Sequence, residues 1–433
     1  FTDEKQIAEA KAEIFTGMMG GTAILNTDDK QFGGSGLKNT QLLKTGAGWN
    51  FKPYAITTDL PPLAVVVFEL TDSKNALYEN VKLLNNDKTL DFIYSDEDKL
   101  NQDGKRCYPH FKPDFSPETL MSLNYICHFA VLRKTIVEKV GAFEVGLEGA
   151  QDYDLFLKVS EVTNKIHHIP KILYHWRMVN GSTAATLDNK SYAKNIGKKC
   201  IENALKRRGL KGDVLIDSSG FYIVNYKLEK EPLISIIIPT KDFSETLNKC
   251  LESLYEKTSY KNYEVIVVNN NSVEKATFKL FNKYKKQKLN FSVIDANFEF
   301  NYSKINNIAV KKAKGEYIVL LNNDTEIITP EWLDIMVGYA SLNHVGAVGP
   351  KLLYPDSTIQ HGGVILGLVG VASHAYIGSP RKSLGEYGRL RVPYNYSAVT
   401  AACLMVKKSK YEEVNGLEEK LKVAYNDMDF NIK

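Results

Sequence analysis

LISIIIPTKD (233–242) decides the fold, because its run of β-branched residues stops abruptly at a polar turn. A strand with one wet face alternates apolar and polar residues; a run that is apolar throughout is covered on both faces. Two more stretches repeat the pattern: EVIVVNNNS (264–272) and EYIVLLNNDTEI (316–327). Between them come helical segments, the first with Leu247, Leu251 and Leu254 on one face, and a further short strand, FSVI (291–294). Covered strands alternating with helices predict a doubly wound, mostly parallel α/β sheet. Such sheets bind ligands at the carboxyl ends of their strands. Here those ends carry Pro239-Thr240-Lys241-Asp242, Asn269-Asn270-Asn271-Ser272 and Asn322-Asn323-Asp324.

Polar turns are common in themselves, but three aligned ones favour a binding site, and a diphosphate bound there would need a partner to offset its charge. Neither GxxxxGK[ST] nor GxGxxG follows a strand, which disfavours P-loop and Rossmann dinucleotide binding. A lone carboxylate at a strand end, Asp324, suits a hard divalent cation that also takes phosphate oxygens. So placed, the cation would stabilise charge on a departing nucleoside diphosphate.

Outward from this region, the chain repeats itself at an offset of about 275 residues. NYICHFAVLRKTIVEKVGAFEVGLEGAQDYDLFLK, from Asn124, parallels NYSAVTAACLMVKKSKYEEVNGLEEKLKVAYNDMDFNIK, from Asn395. Each continues through an apolar run and a basic helix, and each closes on an acidic pair: Asp152-Tyr-Asp154 and Asp427-Met-Asp429. A period this long predicts two copies of a domain. The second begins near Pro232; the first has no room for its N-terminal half. Three regions follow: an unassigned 1–62, an incomplete unit over 63–230, and a nearly complete unit over 231–433, cut short at its C-terminus.

The chain has 433 residues with 55 Lys+Arg against 51 Asp+Glu, a net charge of +4, too balanced for a nucleic-acid partner. No apolar run is long enough to span a membrane, and the charged start FTDEKQIAEAKAE is no secretory signal. The five cysteines are scattered, with no CxxC, and read as reduced thiols. A cytoplasmic protein is expected.

PLISIIIPTKD, VIVVNNNS, EYIVLLNNDTEI, GAVGPKLLYPDSTIQHGGV, NYSAVTAACLMV and YNDMDF, in that order, resemble the family-2 glycosyltransferases of GT-A fold. More narrowly they are similar to bacterial two-unit members found with O-antigen, rhamnan and other cell-surface polysaccharide genes. From about Lys74 to Leu228 the first copy resembles the same group, with IYSDEDKL, PHFKPDFSP, QDYDLFLK and HHIPKILYHWR. The resemblance implies transfer of a sugar from a nucleotide-diphospho-sugar donor to a saccharide or lipid-linked saccharide acceptor, with inversion. It also implies a divalent metal, Mn²⁺ or Mg²⁺, and a place at the inner face of the plasma membrane.

Carried over by position, Pro239, Thr240, Asp242, Asn269, Asn271 and Ser272 would hold the nucleotide. Asn322, Asn323 and Asp324 stand in the place of the DxD motif, with Asp324 as metal ligand, and Asp427 in the place of the catalytic base. There are departures. Asn269 replaces an acidic residue common in the family, and one carboxylate of the DxD is missing. In the first copy, LAVVVFEL (63–70) offers only Glu69 where the family has an Asp-rich turn. Asp96-Glu97-Asp98 then reads as a structural, solvated turn rather than a metal site, and His175-Trp176 as a pocket wall. His361 reads as structurally satisfied. A catalytically defective sugar- or nucleotide-binding scaffold is the competing reading. IAEAKAEIFTGMMGGTAILNTDDKQF, within residues 1–32, resembles a fragment of the Mur-ligase ATP-binding domain, without that family's phosphate loop.

Overall fold

The computed structural model describes residues 76–178 and 189–433, together with the backbone of four short strands before them. The expectations for residues 1–62 therefore lie almost wholly outside the described residues. Two compact units divide the chain: Phe1–Val224 with Glu386–Asn395, and Asn225–Gly385 with Tyr396–Lys433.

The second unit is built on a six-stranded sheet. Its strands are β1 (Ile234–Thr240), β2 (Tyr263–Asn269), β3 (Phe291–Asp295), β4 (Tyr317–Leu321), β5 (Ala347–Val348) and β6 (Cys403–Lys407), in spatial order β3-β2-β1-β4-β6-β5. β1 to β4 are parallel, while β6 runs antiparallel to both β4 and β5. The sequence-derived parallel α/β sheet is therefore present, with an antiparallel flank. Both faces are covered, as the continuous apolar runs require. On one face Ile236, Ile238, Val265 and Val319 pack under α1 (Ser244–Lys257), α2 (Lys275–Gln287) and α4 (Trp332–Ala340). On the other, Ile237, Ile266, Ile318 and Leu404 meet Ile305, Ala309 and Val310 of α3 (Tyr302–Lys312).

Beyond β6 the chain returns to the sheet through a set of polar ties to α3. Asn301 donates to the Glu419 carbonyl, Ser303 to that of Leu421, and the Tyr302 amide to that of Lys422. Asn307 is the fullest case: its amide nitrogen donates to the Leu417 carbonyl at 2.9 Å, and its oxygen accepts from the Tyr411 hydroxyl at 2.6 Å and the Leu417 amide at 3.0 Å. Gly416 closes the turn at φ +70, where a Cβ would meet the Asn307 amide oxygen at 2.6 Å. These ties set the path into a last helix, α5 (Asn426–Ile432), which carries the second acidic pair.

In the first unit the long strand Phe92–Leu100 pairs in parallel with Ile166–Arg177 along its length, and antiparallel with Ala130–Leu132 and Arg106–His110 at its two ends. Ala130–Leu132 also pairs antiparallel with Val65–Val66, so it is flanked on both sides much as β6 is by β4 and β5. After it come a short helix, Lys134–Lys139, and a second, Gln151–Ser160, that opens on Asp152 and Asp154 as α5 opens on Asp427 and Asp429. Both stretches thus run strand, short helix, then a helix with the acidic pair in its first turn. No helix among the described residues is long and apolar enough to cross a membrane.

Asp96-Glu97-Asp98 departs from expectation. It is no solvated turn: all three residues are buried within Phe92–Leu100, where the pairing slips register twice. Each is matched by a cation or an imidazole. Asp96 lies 2.8 Å from His168 Nε2, Glu97 3.0 Å from the Lys112 ammonium, and Asp98 accepts from Arg106 and meets His175. Burial of charge is tolerated only when paired in this way.

Replacing Asn307 with Leu tests the polar ties. It keeps the side-chain volume but strands the Tyr411 hydroxyl and both backbone groups of Leu417. A loss of about 2–4 kcal/mol is expected, read as a lower unfolding midpoint for the second unit.

Candidate active site

β1 is held by β2 as far as Thr240, opposite Asn269, but by β4 only from Ile234 to Ile237. Past Ile237 the carboxyl ends of β1 and β4 separate, at the point where the strand order reverses, and a crevice opens. A cleft of about 620 Å³ lies there within the second unit. Pro239 and Thr240 reach it from β1, Asn322, Asn323 and Asp324 from β4, and Asp427 from α5. Six of the sequence-predicted residues therefore share one cavity.

The other four, Asp242, Asn269, Asn271 and Ser272, are not on its walls; they fasten the two loops beside it. One Asp242 carboxylate oxygen accepts from the Val273 and Glu274 amides at 2.8 and 2.9 Å, and its own amide donates to the Ser272 hydroxyl. Asn269 donates to Asp295 at 2.8 Å and accepts from the Ser272 amide, while Asn271 donates to the Phe298 carbonyl. From the triple-asparagine turn it is Asn270 that lines the cleft. Its buried amide donates to the carbonyls of Ala296 and Phe298.

Within the cleft the polar groups are preset. Asn323 donates to the Thr240 hydroxyl at 2.9 Å, tying the end of β4 to the end of β1. Asp324 is exposed. An exposed carboxylate beside amide oxygens is an all-oxygen donor set of the type that Mg²⁺ and Mn²⁺ take. Asp427 is partly buried: one oxygen accepts from the Ala401 amide and the other from the Met428 amide, both at 3.0 Å. One turn on, Asn431 donates to the Val399 carbonyl, so α5 grips residues 399–401 just before β6. Asp429 turns elsewhere and pairs with Lys433 at 2.7 Å. Of the two carboxylates of that motif, Asp427 is the one on the cleft wall.

Several wall residues carried no signal in the sequence. Phe243, Phe300 and Tyr425 stand exposed around the cleft. Asp242 and Phe243 are both left-handed, at φ 56 and 51, a costly pairing for side chains of this size. Tyr302 donates to the Ala401 carbonyl. Burial, with the nearby Asp427 charge, raises its phenol above the usual range, so it stays a donor at neutral pH. His374 enters from the hairpin Val364–Leu366/Ala372–His374. His361 is buried behind it, the two Nδ1 atoms 2.7 Å apart. His361 is thus structurally satisfied, as its sequence suggests, though by a partner that faces the cleft.

Residues 235–414 match the family model for glycosyl transferase family 2. A second model, the all-beta C-terminal domain of alpha amylase, matches residues 12–71. The chain is 44% identical to an uncharacterized protein, y4gI, of Sinorhizobium fredii over 79% of its length and 38% of the relative's. It is 36% identical to the O-antigen biosynthesis protein RfbC of Myxococcus xanthus, over 84% of the chain and 28% of the relative. The chain thus spans well under half the length of these relatives. Among solved structures, the mannosyltransferase PcManGT of Pyrobaculum calidifontis, in complex with GDP-Man and Mn²⁺, is 17% identical, with 56% of this chain and 61% of that chain covered and a TM-score of 0.36.

Burial, with the neighbouring His374, lowers His361 from its usual 6.5 to about 3. Between those values the unfolded chain takes up a proton that the folded chain refuses, so stability falls as the pH drops. The slope expected is up to about 1.4 kcal/mol per pH unit. Acid unfolding of His361→Gln beside the unaltered protein should show that slope missing below pH 6.5.

Proposed function

Residues 235–414 form a domain of glycosyl transferase family 2, and from that premise we propose that this chain transfers a sugar from a nucleoside-diphosphate donor to a saccharide acceptor, with inversion. The observation that carries the reading is the presence of Asp324 and Asp427 on the walls of one cleft, at the carboxyl ends of a parallel sheet. The likeness to an O-antigen biosynthesis protein supports a role in cell-surface polysaccharide synthesis. On this reading the protein works in the cytoplasm, at the inner face of the membrane on which lipid-linked acceptors are built. The first unit is then an incomplete copy of the same domain that keeps its acceptor-side half.

Pro239, Thr240 and Asn270 would hold the nucleotide, with Asp242, Asn269, Asn271 and Ser272 keeping their loops in shape. Asn322, Asn323 and Asp324 would face the diphosphate and hold a divalent cation, Mn²⁺ or Mg²⁺, which supplies positive charge as the diphosphate leaves. The Asn323–Thr240 bond fixes that turn before any ligand arrives, so little reorganisation is left for the reaction. Asp427 takes the proton from the acceptor hydroxyl as that oxygen attacks the anomeric carbon from the face away from the diphosphate. The bonds from Ala401 and Met428 hold its carboxylate in one orientation. Phe243, Phe300 and Tyr425 offer apolar faces against which sugar or base rings pack and water is excluded.

Asp427→Asn is expected to keep nucleotide binding and lose turnover by about 10²–10⁴-fold, the usual share of a positioned general base. Its melting temperature, measured alongside, separates that loss from damage to the grip on residues 399–401. Asp429→Asn, away from the cleft, should transfer sugar at a near-native rate; equal rates in both variants would remove the role from Asp427.

Asp324→Ala should weaken nucleoside-diphosphate binding in Mn²⁺, measured by calorimetry. In excess chelator the difference from the unaltered protein should vanish. Unchanged affinity in Mn²⁺ would show that Asp324 holds no metal.

A further inference from the structure

The first unit holds a group of side chains that the proposed transfer does not use. Glu97, Cys127 and His128 bring a carboxylate oxygen, a thiol sulfur and an imidazole nitrogen within 4.8 Å of one another. We propose that these three residues bind a divalent cation of the zinc type, one that accepts sulfur and nitrogen ligands, independently of the oxygen-lined cleft of the second unit.

The donor set is the first argument. Sulfur, nitrogen and one carboxylate suit zinc, whereas magnesium and manganese prefer oxygen alone. Distances are the second. His128 Nδ1 lies 3.2 and 3.3 Å from the two Glu97 oxygens. That is long for a charge-assisted hydrogen bond, about 2.7–2.9 Å. It is close to the separation of about 3.3 Å between two ligands on a four-coordinate zinc with bonds of about 2.0 Å. With three protein ligands, the fourth position is left to water or an incoming ligand.

The surroundings hold the three groups in place, as the outer shell of a metal site does. His128 is stacked on Tyr174, with centroids 5.1 Å apart, and packed against Trp176 at 4.6 Å. The fully buried Lys112 ammonium donates to Glu97 and also to the carbonyls of Ile126 and Cys127, fixing the backbone that bears two of the ligands. His128 and Phe129 are consecutive left-handed residues, at φ 61 and 66. Strain of that kind persists where surrounding structure imposes it, and it clusters at binding sites.

A zinc-type cation would bind Cys127 as thiolate, so uptake releases protons and weakens as the pH falls.

Cobalt(II) is the probe, because it takes tetrahedral sulfur and nitrogen sites and is coloured in them. Titrating the whole chain with Co²⁺ should raise a thiolate-to-metal charge-transfer band that saturates at one equivalent and is bleached by Zn²⁺ but not by excess Mg²⁺. Cys127→Ser should abolish the band. His128→Asn, which tolerates the left-handed backbone, should weaken Co²⁺ binding by about tenfold or more. Asp324→Ala should leave the band unchanged, so the outcome is separate from that of the transferase reading. Absence of the band in the unaltered protein, or its survival in Cys127→Ser, would overturn the assignment.

Discussion

Everything at the cleft depends on a mismatch in pairing length. β1 stays bonded to β2 through Thr240, but leaves β4 after Ile237. Had β4 followed it to the end, the two carboxyl ends would be closed by ladder hydrogen bonds and no ligand could lie between them. Instead β4 stops at Leu321 and turns through Asn322 to Asp324, while β6, bonded to its far side, brings Thr400–Ala402 to the same place. One direct bond, from Asn323 to Thr240, spans the gap that the ladder leaves. The cleft is a place where backbone pairing has been replaced by side-chain pairing.

That origin explains which parts of the site the sequence announces. Unbroken apolar runs fix the strands, and a polar cluster after each run fixes the rim, so Thr240, Asn323 and Asp324 can be picked out from spacing alone. Asp427 needs more, since its distance along the chain carries no periodic signal; the internal repeat and the family resemblance supply it. Within the triple asparagine turn, sequence cannot say which amide faces inward. Asn269 still pairs with the strand beside it and Asn271 turns out to Phe298, which leaves Asn270 for the wall. Phe300 before α3, Tyr302 at the start of α3 and His374 in a short hairpin strand reach the cleft through tertiary ties, and no local pattern marks them.

The acidic run of the first unit departs from its sequence-based expectation for a related reason. Asp-Glu-Asp has a turn-like composition, and exposure is the default expectation for three carboxylates in a row. What overrides it is supply from elsewhere in the chain: Arg106, Lys112, His168 and His175 all arrive from other segments to match them. Burial raises the cost of the Glu97 charge, yet Lys112, His110 and His128 more than offset it and hold the carboxyl well below the usual range. A strand of this kind carries strict pairing demands, because removing any one partner leaves a buried charge exposed to nothing.

In the role proposed for it, Asp427 would combine structural and chemical duties in one side chain. A carboxylate has about four lone-pair directions, and the Ala401 and Met428 amides use one on each oxygen. The remaining directions are free for an acceptor hydroxyl. The same two bonds restrict rotation of the group, so in the role of base proposed for it the entropy of alignment is spent on folding rather than at each turnover. The Tyr302 hydroxyl holds the Ala401 carbonyl as Asp427 holds the Ala401 amide, and Tyr302 opens the helix whose asparagines anchor residues 417–422. Carboxylate, loop and helix are thereby linked through Ala401. A change that shifts this loop would move the carboxylate with it, and on the proposed role its effect on turnover would exceed its effect on stability.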